Sequence, residues 1–313
     1  MKGYNFTDKQ IFEGQLPTFD PQSQVLIICN SNEIYDLVAA FDLDEDTVDE
    51  CTNLDEVIRY TSYDDYDFIS LIYTEIITGE LSLCEVNVFF SHNFLAFVVP
   101  EKPGKMLSKL EQKLMASIKF ASTRPEPLNY LYYVFFDKLA TDFAELLEHL
   151  EDDMEELSER IEHNPNTEQS VEIGAHRKKA YTYKKLLRSL SYIGSQINVD
   201  ENDFLADDLQ KYFRNIATRF AKLYDFSNSL NSLAGELLSL YDSKFAAQTN
   251  KALNKLTVIT LFFGPMTVIA GIYGMNFVHM PELKWMLGYP FALGLMLLVS
   301  TIIYIVLKKK KWL

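Results

Sequence analysis

The stretch "LTVITLFFGPMTVIAGIYGMN", residues 256 to 276, holds no charged side chain. Its part from Leu256 to Gly274 has about the 20 residues that an α-helix needs to cross hydrocarbon. A second uncharged run, "YPFALGLMLLVSTIIYIVL" (Tyr289 to Leu307), follows, and Lys308, Lys309, Lys310 and Lys311 come directly after it. Either run alone could be a buried core helix. Two in tandem, ending at four lysines, predict two transmembrane helices, over 256–274 and 289–307. Lys244, Lys251 and Lys255 precede the first run, and the loop between the two (275–288) holds only Lys284. Basic residues stay on the cytoplasmic side. The expectation is a multi-pass protein of the cell's inner (plasma) membrane, with the lipid bilayer as a partner and both termini cytoplasmic.

Upstream of this pair, no strong helix breaker occurs from about Asn202-Asp203 to Pro265. A helix of about 70 residues spans roughly 100 Å, which no ordinary domain buries. The part at 201–255 reads as a stalk that needs a membrane or an oligomer to cover it. Residues 126–200 read as an antiparallel helical hairpin. One arm is acidic, through Glu151-Asp152-Asp153, Glu155-Glu156 and Glu159; the other is basic, through Arg177, Lys178, Lys179, Lys184, Lys185 and Arg188. Pro165 cannot continue a regular helix and divides the arms. Residues 1–125 alternate strand-like runs ("QVLIIC", "YDFISLIYTEII", "SLCEVNVFF", "FLAFVVP") with helical ones at 33–40 and 105–120, the first capped by Ser31 or Asn32. Residues 308–313 are a basic tail. The fold class expected is α+β.

The 313 residues carry a formal net charge of -15, which argues against a nucleic-acid partner because phosphate binding needs clustered Lys and Arg. Cys29, Cys51 and Cys84 match no metal knuckle and read as free thiols. There is no Gly-rich phosphate loop, no HExxH and no Ser/His/Asp pattern beyond chance, so an enzyme is not expected and no catalytic residue is assigned.

Steps of three and four along the first apolar helix pick out Asn250, Leu253, Thr257, Thr260, Gly264, Thr267, Gly271 and Gly274. Nearly all are small or polar. Such a stripe serves either close helix packing or the wall of a wet pore. A pore demands a symmetric oligomer, because two spans cannot enclose one. At its outer end, Gly274 and Asn276 would offer neutral oxygens. Mg2+ sheds its waters reluctantly, and neutral acceptors could hold those waters without stripping them. Gly274 would supply backbone freedom there.

"YGMNF" followed by "MPEL", preceded by "FGPMTVIAGI" and followed by "GYP" and a basic tail ending in Trp-Leu, resembles the CorA family of magnesium/cobalt transporters. The motif match covers residues 250–313, and the architecture matches along the whole chain. The resemblance implies a funnel-shaped homopentamer conducting Mg2+, with Co2+ or Ni2+ as further cargo, by electrodiffusion. Gly274, Met275 and Asn276 would form the selectivity filter, with Asn276 meeting the hydrated ion. Asn250, Leu253, Leu256, Thr257, Thr260, Gly264, Thr267 and Gly271 would line the pore, Leu253 and Leu256 as a hydrophobic constriction. Lys251, Lys255 and Lys308 to Lys311 would form a basic ring at the cytoplasmic mouth.

The chain departs from the family pattern at three points. Family members often have Asp in a Tyr-Phe-Arg-Asp run of the stalk, where it helps bind a regulatory ion; here it is Asn215. An Asp that lines the funnel lower in the stalk is Ser239, and a bulky Met before the kink is Gly264. A regulatory Mg2+ would then fall to the neighbouring Asp207 and Asp208. The alternatives are a zinc transporter of the same superfamily, which would usually carry Gly-Ile-Asn, and a non-conducting membrane-tethered scaffold or sensor.

Overall fold

The structure, a computed structural model, describes residues 1–20, 22–52, 58–77, 80–100, 105–275, 280 and 285–310. The chain forms two compact units, one of residues 1–157 and 171–237, the other of 158–170 and 238–313.

The first unit is built on seven strands: β1 (Lys2–Asn5), β2 (Gln10–Glu13), β3 (Val25–Asn30), β4 (Arg59–Ser62), β5 (Asp67–Ile77), β6 (Glu80–Phe90) and β7 (Phe94–Val99). They lie in the order β2-β1-β3-β7-β6-β5-β4. Neighbours are antiparallel except β3 and β7, which run parallel with Val25 opposite Phe94 and Asn30 opposite Val99. These two central strands are covered on both faces, which is why their sequences are continuous apolar runs without alternation. On one face Val25, Ile27 and Cys29 join Ile34 and Leu37 of α1 (Ile34–Phe41) and Val48 and Cys51 of α2 (Glu45–Thr52) in a buried cluster. On the other lies α4 (Pro127–His163), where Tyr132 stacks on Phe90 at 4.1 Å and Phe135 meets Phe97 at 4.9 Å. α3 (Lys105–Ala121) connects β7 to α4.

Cys29 and Cys51 are buried free thiols. Burial pushes the Cys29 thiol up to about 12 and raises Cys51 further. The cap of the first helical segment is Asn30 and not Ser31 or Asn32. Its side chain accepts from the Asn32 N–H at 3.0 Å, while Glu33 accepts from the Asn30 N–H at 3.0 Å. This reciprocal box satisfies two donors that a single cap leaves open.

Three long helices follow in sequence: α4, α5 (Thr167–Val199) and α6 (Gln210–Tyr273). Gly194 of α5 lies so close to α6 that a Cβ there would meet Ala217 Cα at 3.2 Å and Phe220 Cδ2 at 3.0 Å. Arg219 of α6 ion-pairs with Asp137 of α4 and donates to Thr141 at 3.1 Å. The second unit contains the rest of α6, with Pro265 inside it, and α7 (Gly288–Lys309).

α6 begins at Gln210, later than the expected start near Asn202-Asp203. Side chains hold the intervening backbone in another shape. Asp200 and Asp203 adopt left-handed φ values of 52° and 53°. The Asp200 carboxylate accepts from the Phe204 N–H and the Leu205 N–H, each at 3.0 Å. Asn129 of α4 accepts from the Ala206 N–H at 2.9 Å and donates to the Phe204 carbonyl at 3.3 Å. Asn202 donates to Ser62 at 2.8 Å and to the Tyr63 carbonyl at 2.6 Å, tying the segment to the β4–β5 turn. Asp67 beside it is buried, and desolvation raises its carboxyl above the ordinary range although Ser62 and Asn202 donate hydrogen bonds to it. Local carboxylate and amide bonds compete with helix here, and propensity does not register them.

Asn129→Ala would leave both backbone partners unsatisfied, at about 1–3 kcal/mol each before relaxation. We expect the full-length variant to lose several degrees of melting midpoint by intrinsic fluorescence. An unchanged midpoint would show that the clamp is dispensable.

Candidate functional site

Every expected pore-lining residue, Asn250, Leu253, Leu256, Thr257, Thr260, Gly264, Thr267 and Gly271, lies on α6 and is exposed in the isolated chain. At 100° per residue, all but Leu256 point within about 100° of one another, and Leu256 sits at the margin of that band. Lys251 and Lys255 point to the other side of the helix. An added Cβ would meet nothing within 4 Å at Gly264 or Gly271.

The three threonines are already committed as donors. Thr257, Thr260 and Thr267 donate their hydroxyls to the carbonyls of Leu253, Leu256 and Phe263, each at 2.9 Å. Each oxygen therefore turns lone pairs, and no proton, toward the outside of the helix. Pro265 brings no N–H and leaves the Leu261 carbonyl without its helical donor.

α6 closes at Tyr273. The Gly274 N–H is shared between the Ala270 carbonyl at 2.9 Å and the Gly271 carbonyl at 3.2 Å, and Met275 N–H reaches the Ile272 carbonyl at 3.2 Å. Gly274 does not enter the left-handed region. A Cβ there would stand 3.2 Å from the Ala270 carbonyl oxygen, the same oxygen that accepts from the Gly274 N–H. Met275 is exposed. Asn276 and Lys311 lie outside the described residues.

Lys308 and Lys309 occupy the last turn of α7, and Lys310 caps it. The Lys308 ammonium sits over the Tyr304 ring, 5.7 Å from its centre. Sequence reasoning missed this contact, and the i, i+4 spacing was the signal for it. Asp207 and Asp208 are exposed in the turn before α6. Among the described residues, no group of three or more His, Cys, Asp or Glu side chains is placed to hold a metal. One grouping had no linear signal at all. A cleft of about 1430 Å³ in the first unit brings Asp20, Asp36, Asp42, Asp64, Asp65 and Glu126 together from separate segments.

The most apolar 18-residue window of α6 is 0% buried within the chain, and that of α7 is 11% buried. A core helix of a soluble protein would be mostly covered, so length, composition and exposure together mark two candidate membrane spans. The family model described as CorA-like Mg2+ transporter protein matches residues 26–309.

This chain belongs to the CorA family.

The "Cobalt/magnesium transport protein CorA" of Thermotoga maritima is 29% identical over 234 residues, which is 75% of this chain and 66% of that one. The "Magnesium transport protein CorA" of Helicobacter pylori strain 26695 is 26% identical over 305 residues, 92% of this chain and 89% of that one. Among solved structures, the complete CorA magnesium transporter from Methanocaldococcus jannaschii superposes with a TM-score of 0.78 at 18% identity, covering 97% of this chain and 96% of that one. The CorA fold therefore extends over the whole α+β architecture, from the N-terminal sheet through the long helix to the C-terminal one. Membership places the protein among membrane transporters of divalent cations, which are not known enzymes.

The two readings of the CorA stripe predict opposite signs for Gly264→Ala and Gly271→Ala. Alanine is better than glycine in a helix by up to about 1 kcal/mol. If the stripe faces water, each variant should melt at or slightly above the unsubstituted midpoint in detergent. A drop of several degrees at both sites would mean that the glycines pack against another helix.

Proposed function

We propose that this chain is a divalent-cation channel that admits Mg2+ to the cytoplasm by electrodiffusion, with Co2+ or Ni2+ as further cargo. The observation that carries the reading is the single helix α6. It bears the small and hydroxylated stripe and ends at Tyr273, directly before Gly274-Met275-Asn276 in the sequence of a CorA-family chain. Exposure of the whole stripe in one chain supports an assembly that covers it, and the family resemblance suggests a funnel-shaped homopentamer with α6 innermost. The membrane would be the cell's inner membrane, with both termini cytoplasmic.

In this reading the ion stays hydrated. Asn276 and the carbonyls at the end of α6 accept hydrogen bonds from its waters at the outer mouth. The threonine oxygens continue that acceptor surface inward. Leu253 and Leu256, 54% and 60% exposed in the single chain, would meet their counterparts around the axis as a constriction that gates by dewetting. The inside-negative potential contributes about 2.3 kcal/mol per charge per 100 mV, and twice that for a divalent ion. Lys251, Lys255 and Lys308 to Lys311 would ring the cytoplasmic mouth. Asp207 and Asp208 would hold a regulatory Mg2+ weakly, because Asn215 and Ser239 replace carboxylates expected nearby.

Uptake into proteoliposomes tests the central claim. The unsubstituted protein should load Mg2+ down an imposed potential, and Asn276→Ala should reduce the rate at least tenfold while still assembling. Inert unsubstituted assemblies would favour the scaffold reading. Zn2+ taken up in strong preference to Mg2+ would favour the zinc transporter.

Regulation has its own test. Internal Mg2+ at low millimolar concentration should close the channel only in part. Full closure that survives substitution of Asp207 and Asp208 would overturn the regulatory assignment.

A further inference from the structure

α5 carries cations and tyrosines on the side opposite its buried face. Lys178, Lys185 and Arg188 are exposed, and Tyr181 and Tyr192 among them are 63% and 56% exposed. At 100° per residue these five point within about 80° of one another, across the helix from the buried Ile173, Ala180, Leu187 and Leu190. None of the three cations makes an ion pair among the described residues. Solvation explains lone lysines, but two large tyrosines held in water beside them have no packing role within the chain. Tyrosine and arginine are the residues enriched where proteins meet.

α4 carries the complement. Glu145, Glu148, Asp152 and Glu155 are exposed and also point within about 80° of one another, across the helix from the buried Leu147, Leu150 and Met154. The cations from Lys178 to Arg188 and the acids from Glu145 to Glu155 each cover about 15 Å of helix. The link between α4 and α5 is only Asn164-Pro165-Asn166, so α5 runs back along α4 as such short connections require. With both buried faces turned inward, the two stripes face away from the pair, on different helices.

We propose that the α5 stripe docks on the α4 stripe of the next copy of this chain. The two surfaces differ, so the contact is heterologous, and rotation-related repeats of such a contact close into a ring. The complementary signs of the two stripes support a second copy as the occupant, against the repulsion between whole chains. Each chain carries a net -15, so copies repel at long range. A cationic stripe matched in length to an acidic one gives a local attraction that also fixes register. The proposal rests on the oligomeric reading above and adds a contact outside the apolar helices.

The test uses the full-length protein in detergent. Light scattering gives the assembly size, and zero-length carbodiimide coupling joins carboxylates to lysines in contact. The unsubstituted protein should give a ladder of joined chains on denaturing gels, with Lys178 or Lys185 coupled to Glu145, Glu148, Asp152 or Glu155. Both assembly and ladder should weaken in 1 M salt, where the screening length falls to about 3 Å. The triple variant Lys178→Glu, Lys185→Glu, Arg188→Glu should lose the ladder and assemble at least about tenfold more weakly. So should Glu145→Lys, Glu148→Lys, Asp152→Lys. Combining all six in one chain should restore assembly, which a misfolded chain would not do.

Full assembly by both triple variants would overturn the inference and leave the channel reading standing. Loss without rescue in the combined chain would also overturn it. An α5 triple variant that assembles normally but no longer adsorbs to anionic vesicles would assign the stripe to lipid. An unsubstituted protein that is monomeric would sink this inference and the proposed assembly together.

Discussion

The backbone of α6 has to satisfy its own hydrogen bonds along its whole length, and the remaining features of the chain answer to that constraint. In hydrocarbon no water is present to serve an open peptide group, so a spanning segment must be helical or part of a closed barrel. α6 carries one ladder from the buried residues Phe213, Ile216 and Phe220 of the first unit to the exposed apolar turns beyond Leu256. The environment changes along the helix while the backbone solution stays the same. Where the ladder is broken at Pro265, neighbouring threonines bond back to carbonyls of the same helix, which keeps hydroxyl protons off the surface.

Much of this was legible in the sequence because hydropathy and period act over many residues. The two apolar runs, the hairpin arms and the strands that became β3, β5, β6 and β7 all read directly. What escaped was decided by single side chains or by distant partners. β1, β2 and β4 are strands of four residues each, too short for alternation to register, and they exist by pairing with strands far along the chain or across a turn. The start of α6 moved to Gln210 because Asp200, Asn129 and Asn202 bind the preceding backbone. The identity of Asn202 suggests a cap, whereas its partners lie at Ser62 and Tyr63.

The candidate site divides in the same way. Its stripe was readable because it follows helical spacing on one element, and the structure adds what spacing cannot: the direction of the threonine protons. The acidic and basic arms were readable as composition. Their placement as outward stripes, each opposite a buried seam, needed the burial of Leu147, Met154, Ala180 and Leu187. Sign segregation between two antiparallel helices is invisible to net charge, which sums it away.

If α6 lines the proposed conduit, its back-bonded threonines bear on which charge it passes. A conduit wall that presents oxygen lone pairs and no free O–H offers nothing to chloride or phosphate, which must be solvated by donors. It would discriminate by sign without carrying any formal charge of its own, and so without the deep electrostatic well that slows a divalent ion's departure. Rejection of anions would then persist at high ionic strength, where fixed charges are screened.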